Sequence, residues 1–286
     1  MRNNQDRFGA TTEASSPPVP EAYEPKGNSQ PTLQFVAPTE VVDLPSKGHF
    51  YPVGHPLHNK DTIEIRFMTA KDEDILTSTT LLKKGLAIDR LLQNIIVDKT
   101  INVEDLLIGD KNAVLIASRI TGYGASYDAK VMCPVCSSNV EYSFDLTDID
   151  IKEPIDFESW GVQVTANKTF IIHLEKSDVD VEFRLLTGKD ERTLANLMEV
   201  KKKKKLPESN LTDQLRMMIV SVNGSPEQNY INSYVSNMPA IDSRVLRTTY
   251  QNLIPNVNLS QGFTCSGCGF DGEVDMPFGA SFFWPK

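Results

Sequence analysis

IEIRFMTAKDEDIL (residues 63–76) and VEFRLLTGKDERTL (residues 181–194) are identical at seven of fourteen positions, and most of the other pairs are similar. In each, alternating apolar residues predict a half-buried strand: Ile63, Ile65 and Phe67 in one, Val181, Phe183 and Leu185 in the other. A threonine follows, Thr69 or Thr187, in N-cap position, with Asp72 or Asp190 three residues on and Glu73 or Glu191 beside it. Strand passes to helix at the same place twice, so the chain reads as an internal duplication.

The correspondence continues downstream. Ile88, Leu91, Leu92, Ile95 and Ile96 fall on one face of a helix, and Leu211, Leu215, Met218 and Ile219 make a similar face in the second copy. A further helix is expected from Asp110 (DKNAVLIASRI) and from Asp242 (DSRVLRTTYQNL), each aspartate serving as N-cap. From each of these aspartates to the next cysteine is 23 residues. The additional residues of the second copy lie earlier, around KKKKKLPESN and NGSPEQN.

Those cysteines are Cys133-Pro-Val-Cys136 and Cys265-Ser-Gly-Cys268, two C-x-x-C pairs. Two intervening residues let a tight turn aim both sulfurs at one point, and Gly267 and Gly269 suit such knuckles. A structural zinc ion takes four ligands with no open position, so Cys133, Cys136, Cys265 and Cys268 together would complete one site for a single Zn2+. The 128 residues between the pairs exceed the loop of a compact ribbon. A duplication accounts for that span if equivalent knuckles meet on a pseudo-twofold axis. After each knuckle comes an alternating strand, VEYSFDL or EVDMPF, and the two are expected to pair beside the metal. Other readings of the same pattern are a redox pair, iron-sulfur ligation, or two unrelated pairs of buried thiols.

The totals set the frame. The 286 residues, 40% of them hydrophobic, suffice for one large domain or two small ones. A net charge of −9 and a pI near 5.0 repel polyanions, which makes nucleic acid an unfavoured partner. No apolar run is long enough to cross a bilayer, and the first residues lack a signal peptide's apolar core, so a cytoplasmic setting without membrane association is expected. Four cysteines in so long a chain do not make a disulfide scaffold; in a reducing compartment they stay thiols. Residues 1–34 hold little to bury and read as a disordered or partner-ordered arm, and the folded region is expected to start at Phe35.

No catalytic constellation stands out. His49, His55, His58 and His173 lack the neighbours of a nucleophilic or hydrolytic site; His55 and His58 read as exposed loop residues, His173 as part of a strand. Neither a phosphate loop, HExxH nor G-x-S-x-G occurs. Lys201, Lys202, Lys203, Lys204 and Lys205 form the one strong positive patch, expected on an exposed insertion, either merely solvated or touching an acidic protein or nucleic acid. Phe278, Phe282, Phe283 and Trp284 crowd the last residues and require burial, in their own core or in a neighbour.

EVVDLPSKGHFYP (40–52), RFMTAKDEDILTS (66–78) and LIGDKNAVLIASRITGYGASYDAKVMCPVC (107–136) resemble the T4-type baseplate protein family of contractile-tailed bacteriophages. The likeness covers the first half of the chain. It implies a virion component of the tail baseplate, at its hub or inner ring, without catalytic activity, and it extends to the knuckle cysteines alone among binding residues.

The expected architecture is α+β: an arm over residues 1–34, a first lobe over 35–150 with Cys133 and Cys136, and a second over 151–286 with Cys265, Cys268 and the aromatic tail. The expected role is structural, in the virion after assembly in the host cytoplasm. Partners would be other baseplate and tail proteins and copies of the chain itself, with no small-molecule substrate. The competing reading is a zinc-ribbon nucleic-acid adapter or regulator using the lysines at 201–205.

Overall fold

In the computed structural model the described residues are 37–152, 157–277 and 280–283, so the expected arm, Phe278 and Trp284 lie outside them. From Ala37 onward they belong to one compact unit. In chain order the elements are β1 (Thr39–Asp43), β2 (Thr62–Arg66), α1 (Ala70–Thr77), α2 (Thr79–Lys83), α3 (Ala87–Ile95), α4 (Ile108–Tyr123), β3 (Ser126–Met132) and β4 (Asn139–Asp145). There follow β5 (Val162–Val164), β6 (Phe170–Leu174), β7 (Val179–Phe183), α5 (Gly188–Lys203), α6 (Asn210–Met218), β8 (Ile219–Val222), α7 (Gln228–Asn237), α8 (Ala240–Leu253), β9 (Ser260–Thr264) and β10 (Asp271–Asp275). This is an α+β fold with small antiparallel sheets: β5-β6-β7-β8, and the two-stranded pairs β1-β2, β3-β4 and β9-β10.

Both similar segments fold as their sequences predict. Thr69 and Thr187 cap α1 and α5 in reciprocal capping boxes with Asp72 and Asp190. The conserved spacing also delivers an arginine that the capping reading overlooked. Arg66 forks onto Asp72 at 2.7 and 3.0 Å, and Arg184 onto Asp190 at 2.7 and 2.8 Å. Each aspartate thus closes a helix N-terminus and ties it to the strand before it. The Asp72 carboxylate is buried, and burial works against its charge; the Arg66 fork, the Thr69 backbone and hydroxyl, and the Asn94 amide outweigh that and hold it down to about 2.

Asp110 and Asp242 differ from expectation. α4 and α8 start at Ile108 and Ala240, with Leu107 and Pro239 in the capping positions, so each aspartate is the third helical residue. From there the carboxylate reaches sideways to a distant segment. Asp110 accepts from the Ser46 backbone at 2.9 Å, the Ser46 hydroxyl at 2.6 Å and the Tyr51 hydroxyl at 2.7 Å. Asp242 accepts from the Ser177 backbone at 2.8 Å and its hydroxyl at 2.7 Å. Burial pushes Asp110 up, against those three donors, and pushes Tyr51 up as well, helped by the neighbouring Asp110 charge.

One continuous hydrophobic core runs from Val42 to Phe283. Residues before and after position 150 meet in a short antiparallel bridge at Leu107 and Thr187, with Gly188 N–H donating to Leu106 carbonyl at 2.9 Å. Gly109 is needed here, because a Cβ would stand 1.8 Å from the Pro255 carbonyl oxygen. Beside it Lys111 bridges Asp89 and Glu191 at 2.9 and 2.8 Å, and Arg192 binds Asp89 and Glu104.

Further expectations change. Each strand after a knuckle pairs with the strand before its own knuckle, β4 with β3 and β10 with β9, since a hairpin closes locally at less entropic cost than a pairing across the chain. His55 and His58 are half-buried, His55 stacked on Tyr51 at 4.4 Å and His58 Nδ1 2.7 Å from the Tyr51 carbonyl oxygen. Phe282 and Phe283 are buried in the chain's own core, where burial removes their apolar area from water without a partner. Leu211 stays 40% exposed, and Ile219 opens β8.

The folded carboxyl of Asp72 titrates below its ordinary value of 3.8, so its stabilising contribution is complete above that value and is lost as pH falls towards about 2. That contribution is about 2 kcal/mol. Chemical denaturation of the parent and of Asp72→Asn is expected to show a stability gap at neutral pH that shrinks by this amount near pH ~2. A gap that does not depend on pH would contradict the assignment.

Candidate metal centre

Both knuckles are hairpin tips built alike. In the first, Cys133 N–H donates to the Ser138 carbonyl and Ser137 N–H to the Cys133 carbonyl, each at 2.9 Å. In the second, Cys265 N–H donates to the Phe270 carbonyl at 2.8 Å and Gly269 N–H to the Cys265 carbonyl at 2.9 Å. Ser137 and Gly269 hold the same left-handed position, with φ of 57° and 74°. Glycine takes that conformation freely, and serine takes it at some cost. Donors at two levels of the turn close it so that both sulfurs emerge on one side.

The hairpins carrying the knuckles are packed together. Tyr142 of β4 donates to the Gly262 carbonyl at 2.9 Å, and its ring meets Phe263 edge-on at 5.2 Å. Tyr127 of β3 donates to the Pro277 carbonyl at 2.9 Å. Beneath them the buried Arg119 donates to the carbonyls of Gly124, Ser126 and Phe282 at 2.8, 3.1 and 3.0 Å, which ties the end of α4 to the start of β3 and to the last described turn. Neither Tyr142 nor Arg119 is legible as a site-building residue in the sequence, because their partners are backbone carbonyls, which carry no side-chain signature, and Gly262 and Phe282 are far along the chain.

The structure brings together all four expected cysteines. Their sulfurs lie within 4.8 Å of one another. Cys133 Sγ is 3.7 Å from Cys268 Sγ and Cys136 Sγ is 3.8 Å from Cys265 Sγ, so each contact joins one knuckle to the other. Disulfide sulfurs would be about 2.05 Å apart, and all four thiols are free. Cys133 and Cys265 are buried, whereas Cys136 and Cys268 reach the surface. Of the four histidines, none joins the group; His173 is the exposed residue of the otherwise largely buried β6 and sits against Asp180 at 2.9 Å, which raises its pKa.

Electrostatics favour a cation at the centre. Backbone N–H groups of Cys268 and Gly267 stabilise the Cys265 thiolate and bring its pKa, despite burial, to about 6. The Ser138 hydroxyl, 2.9 Å from Cys136 Sγ, lowers Cys136 as well. Cys268 moves the other way: although the Phe270 backbone lowers it, the Cys136 sulfur, burial and the remaining thiols push it up to about 12. Four thiolates this close repel one another, and only a positive ion among them lets all four ionise. Ser138, also 3.8 Å from Cys265 Sγ, is the residue missed by the spacing argument; it touches one sulfur from each knuckle.

A family model described as T4 bacteriophage base plate protein matches residues 37–284, and the chain belongs to that family. The match spans both knuckles and both similar segments. Neither the curated proteins nor the solved structures contain a match. Membership implies a component of the phage tail that associates with other tail proteins. Among the described residues no helix is long and apolar enough to cross a membrane.

Metal analysis of protein purified under reducing conditions is expected to find one equivalent of bound metal per chain. Cys133→Ser or Cys265→Ser should lose it and lower the thermal midpoint by ~10 °C, whereas Ser138→Ala should keep it with about tenfold weaker affinity. Full metal content in both cysteine variants would exclude a four-sulfur site.

Proposed function

We propose that this member of the T4 bacteriophage base plate protein family is a non-enzymatic structural protein of a contractile tail baseplate, at the hub or inner ring, where it holds neighbouring baseplate proteins together. The observation that carries the reading is the convergence of Cys133 and Cys136 with Cys265 and Cys268. A protein that bears load between neighbours gains from a crosslink that spans the chain, and this group links positions 135 residues apart.

The ion is Zn2+. A tetrahedron with zinc–sulfur bonds of about 2.3 Å has edges of ~3.8 Å, which two of the four cross-knuckle separations match at 3.7 and 3.8 Å, with all sulfurs within 4.8 Å of one another. Zinc has no redox chemistry of its own, and four protein ligands leave no open position for a substrate. Residues 35–150 and 151–286 are two related lobes descended from one unit, with the zinc near the pseudo-twofold axis that relates their knuckles. Support comes from the parallel Arg–Asp–Thr groupings, the parallel knuckles, and sulfur contacts that map onto each other when the knuckles are exchanged. The protein is assembled in the host cytoplasm and retained in the virion, with copies of itself and other tail proteins as partners and residues 1–34 as a candidate contact.

Coexpression with other tail proteins, followed by sedimentation, tests this reading. The parent chain is expected to enter a discrete complex, and Cys265→Ser to enter it at least tenfold less. A chain that stays apart from every tail protein, or that instead binds nucleic acid in a salt-sensitive way, would overturn it.

A further inference from the structure

The lysine run is the sequence motif that the metal centre and the core leave unexplained. Lys201, Lys202 and Lys203 form the last turn of α5, and Lys204 and Lys205 follow. Two are neutralised locally, Lys201 by Asp213 and Lys203 by Glu199. Lys202, Lys204 and Lys205 are exposed and form no ion pair among the described residues, although the Lys202 charge helps to lower Glu199. α5 buries only Gly188 and Asp190, so its far end stands away from the core. Apolar side chains accompany the cations: Val200 is 44% and Leu206 50% exposed. A chain of net charge −9 that keeps three unpaired lysines beside exposed aliphatic groups presents a surface suited to an acidic partner with an apolar element.

The same chain carries that chemistry at its metal-bearing end. Asp271, Glu273 and Asp275 alternate along β10, so they share one face of the strand, and all three are exposed without a cation partner among the described residues. Glu273 and Asp275 line a cleft of about 310 Å³ together with Pro134 and Met132, the latter 65% exposed. Lys130, also in this cleft, is paired with Glu141 at 3.7 Å. One surface is therefore lysine plus aliphatic, and another is carboxylate plus methionine.

We propose that the lysine-bearing end of α5 in one copy docks on the β10 face and adjoining cleft of a second copy, the lysines against Glu273 and Asp275 and Leu206 beside Met132. The inference rests on the structural reading above and names the surfaces through which copies meet. The two surfaces differ, so the contact is head-to-tail, and successive copies close into a ring or extend as a filament. Its charged part makes it sensitive to salt, because ion pairs at a rim are screened within about 10 Å at moderate ionic strength.

Sedimentation velocity on the full chain, with metal content measured in each sample, tests the contact. At low salt the parent is expected to associate as concentration rises, and raised salt to weaken this on the order of tenfold. Lys202→Glu/Lys204→Glu/Lys205→Glu should weaken it by tenfold or more, and so should Glu273→Lys/Asp275→Lys. Mixed together, these two variants should associate again in equal proportions, alternating along the assembly, and the chain carrying all five changes should recover association to within about threefold of the parent. A parent that is monomeric at every concentration, or five changes that fail to restore what two or three removed, would overturn the proposal. A monomer that still joins tail complexes would sink this contact alone and leave the baseplate reading standing.

Discussion

Four sulfurs held within 4.8 Å of one another require that two hairpins, separated by 128 residues of sequence, arrive at one place with little freedom left. Closing a loop of that length costs several kcal/mol of chain entropy, more than any single contact in the knuckles returns. The rest of the fold meets that cost first. The bridge at Leu107 and Thr187, the close approach of Gly109 to Pro255 and the three carbonyls gathered by Arg119 hold together the elements that carry the hairpins. A metal ion bound by these four donors would find them already gathered, so its binding energy would go into fixing the joint rather than into forming it.

The two similar segments use one electrostatic device. An aspartate at the third position of a helix receives the capping threonine and an arginine at or just past the end of the preceding strand, which fixes the angle between strand and helix. Around this shared device the surroundings diverge. β6 has β5 on its outer side, whereas β1, the strand that pairs with the first segment, has only β2. The connection after β1 is long and carries Tyr51, whose hydroxyl bridges Asp110 and the Leu107 N–H; after β6 a four-residue turn suffices and Tyr250 reaches Leu186 from α8 instead. The ion network of Lys111, Asp89, Glu191 and Arg192 joins residues on either side of position 150 and occurs once among the described residues. Its cations and carboxylates offset one another where a lone buried charge would be costly.

Much of this was legible in advance, and what was not has a common cause. Strand and helix at the similar segments followed from alternation and from the threonine-aspartate spacing, and the four cysteines followed from the geometric demand of C-x-x-C. Asp110 and Asp242 were placed at helix starts but given the wrong role, because a carboxylate at the third position resembles a cap in sequence while its partners, Ser46 and Ser177, lie 64 and 65 residues away. Alternation in the strands after the knuckles reports which faces are buried and leaves the neighbour unspecified, so it does not distinguish pairing with each other from pairing within each hairpin. Ser138 and Arg119 carry no pattern at all.

By itself the sequence determined the local elements, the capping pairs, the acidic charge and the identity of the sulfur donors, since each depends on residues a few positions apart. Tertiary structure alone decided which sulfur of one knuckle would lie against which sulfur of the other, that the aromatic residues Phe282 and Phe283 would turn inward, and that three lysines at the end of α5 would stay outside any ion pair among the described residues. Those outcomes depend on which distant surfaces pack together, a choice made by the summed burial of a core running from Val42 to Phe283 and not by any one segment's composition.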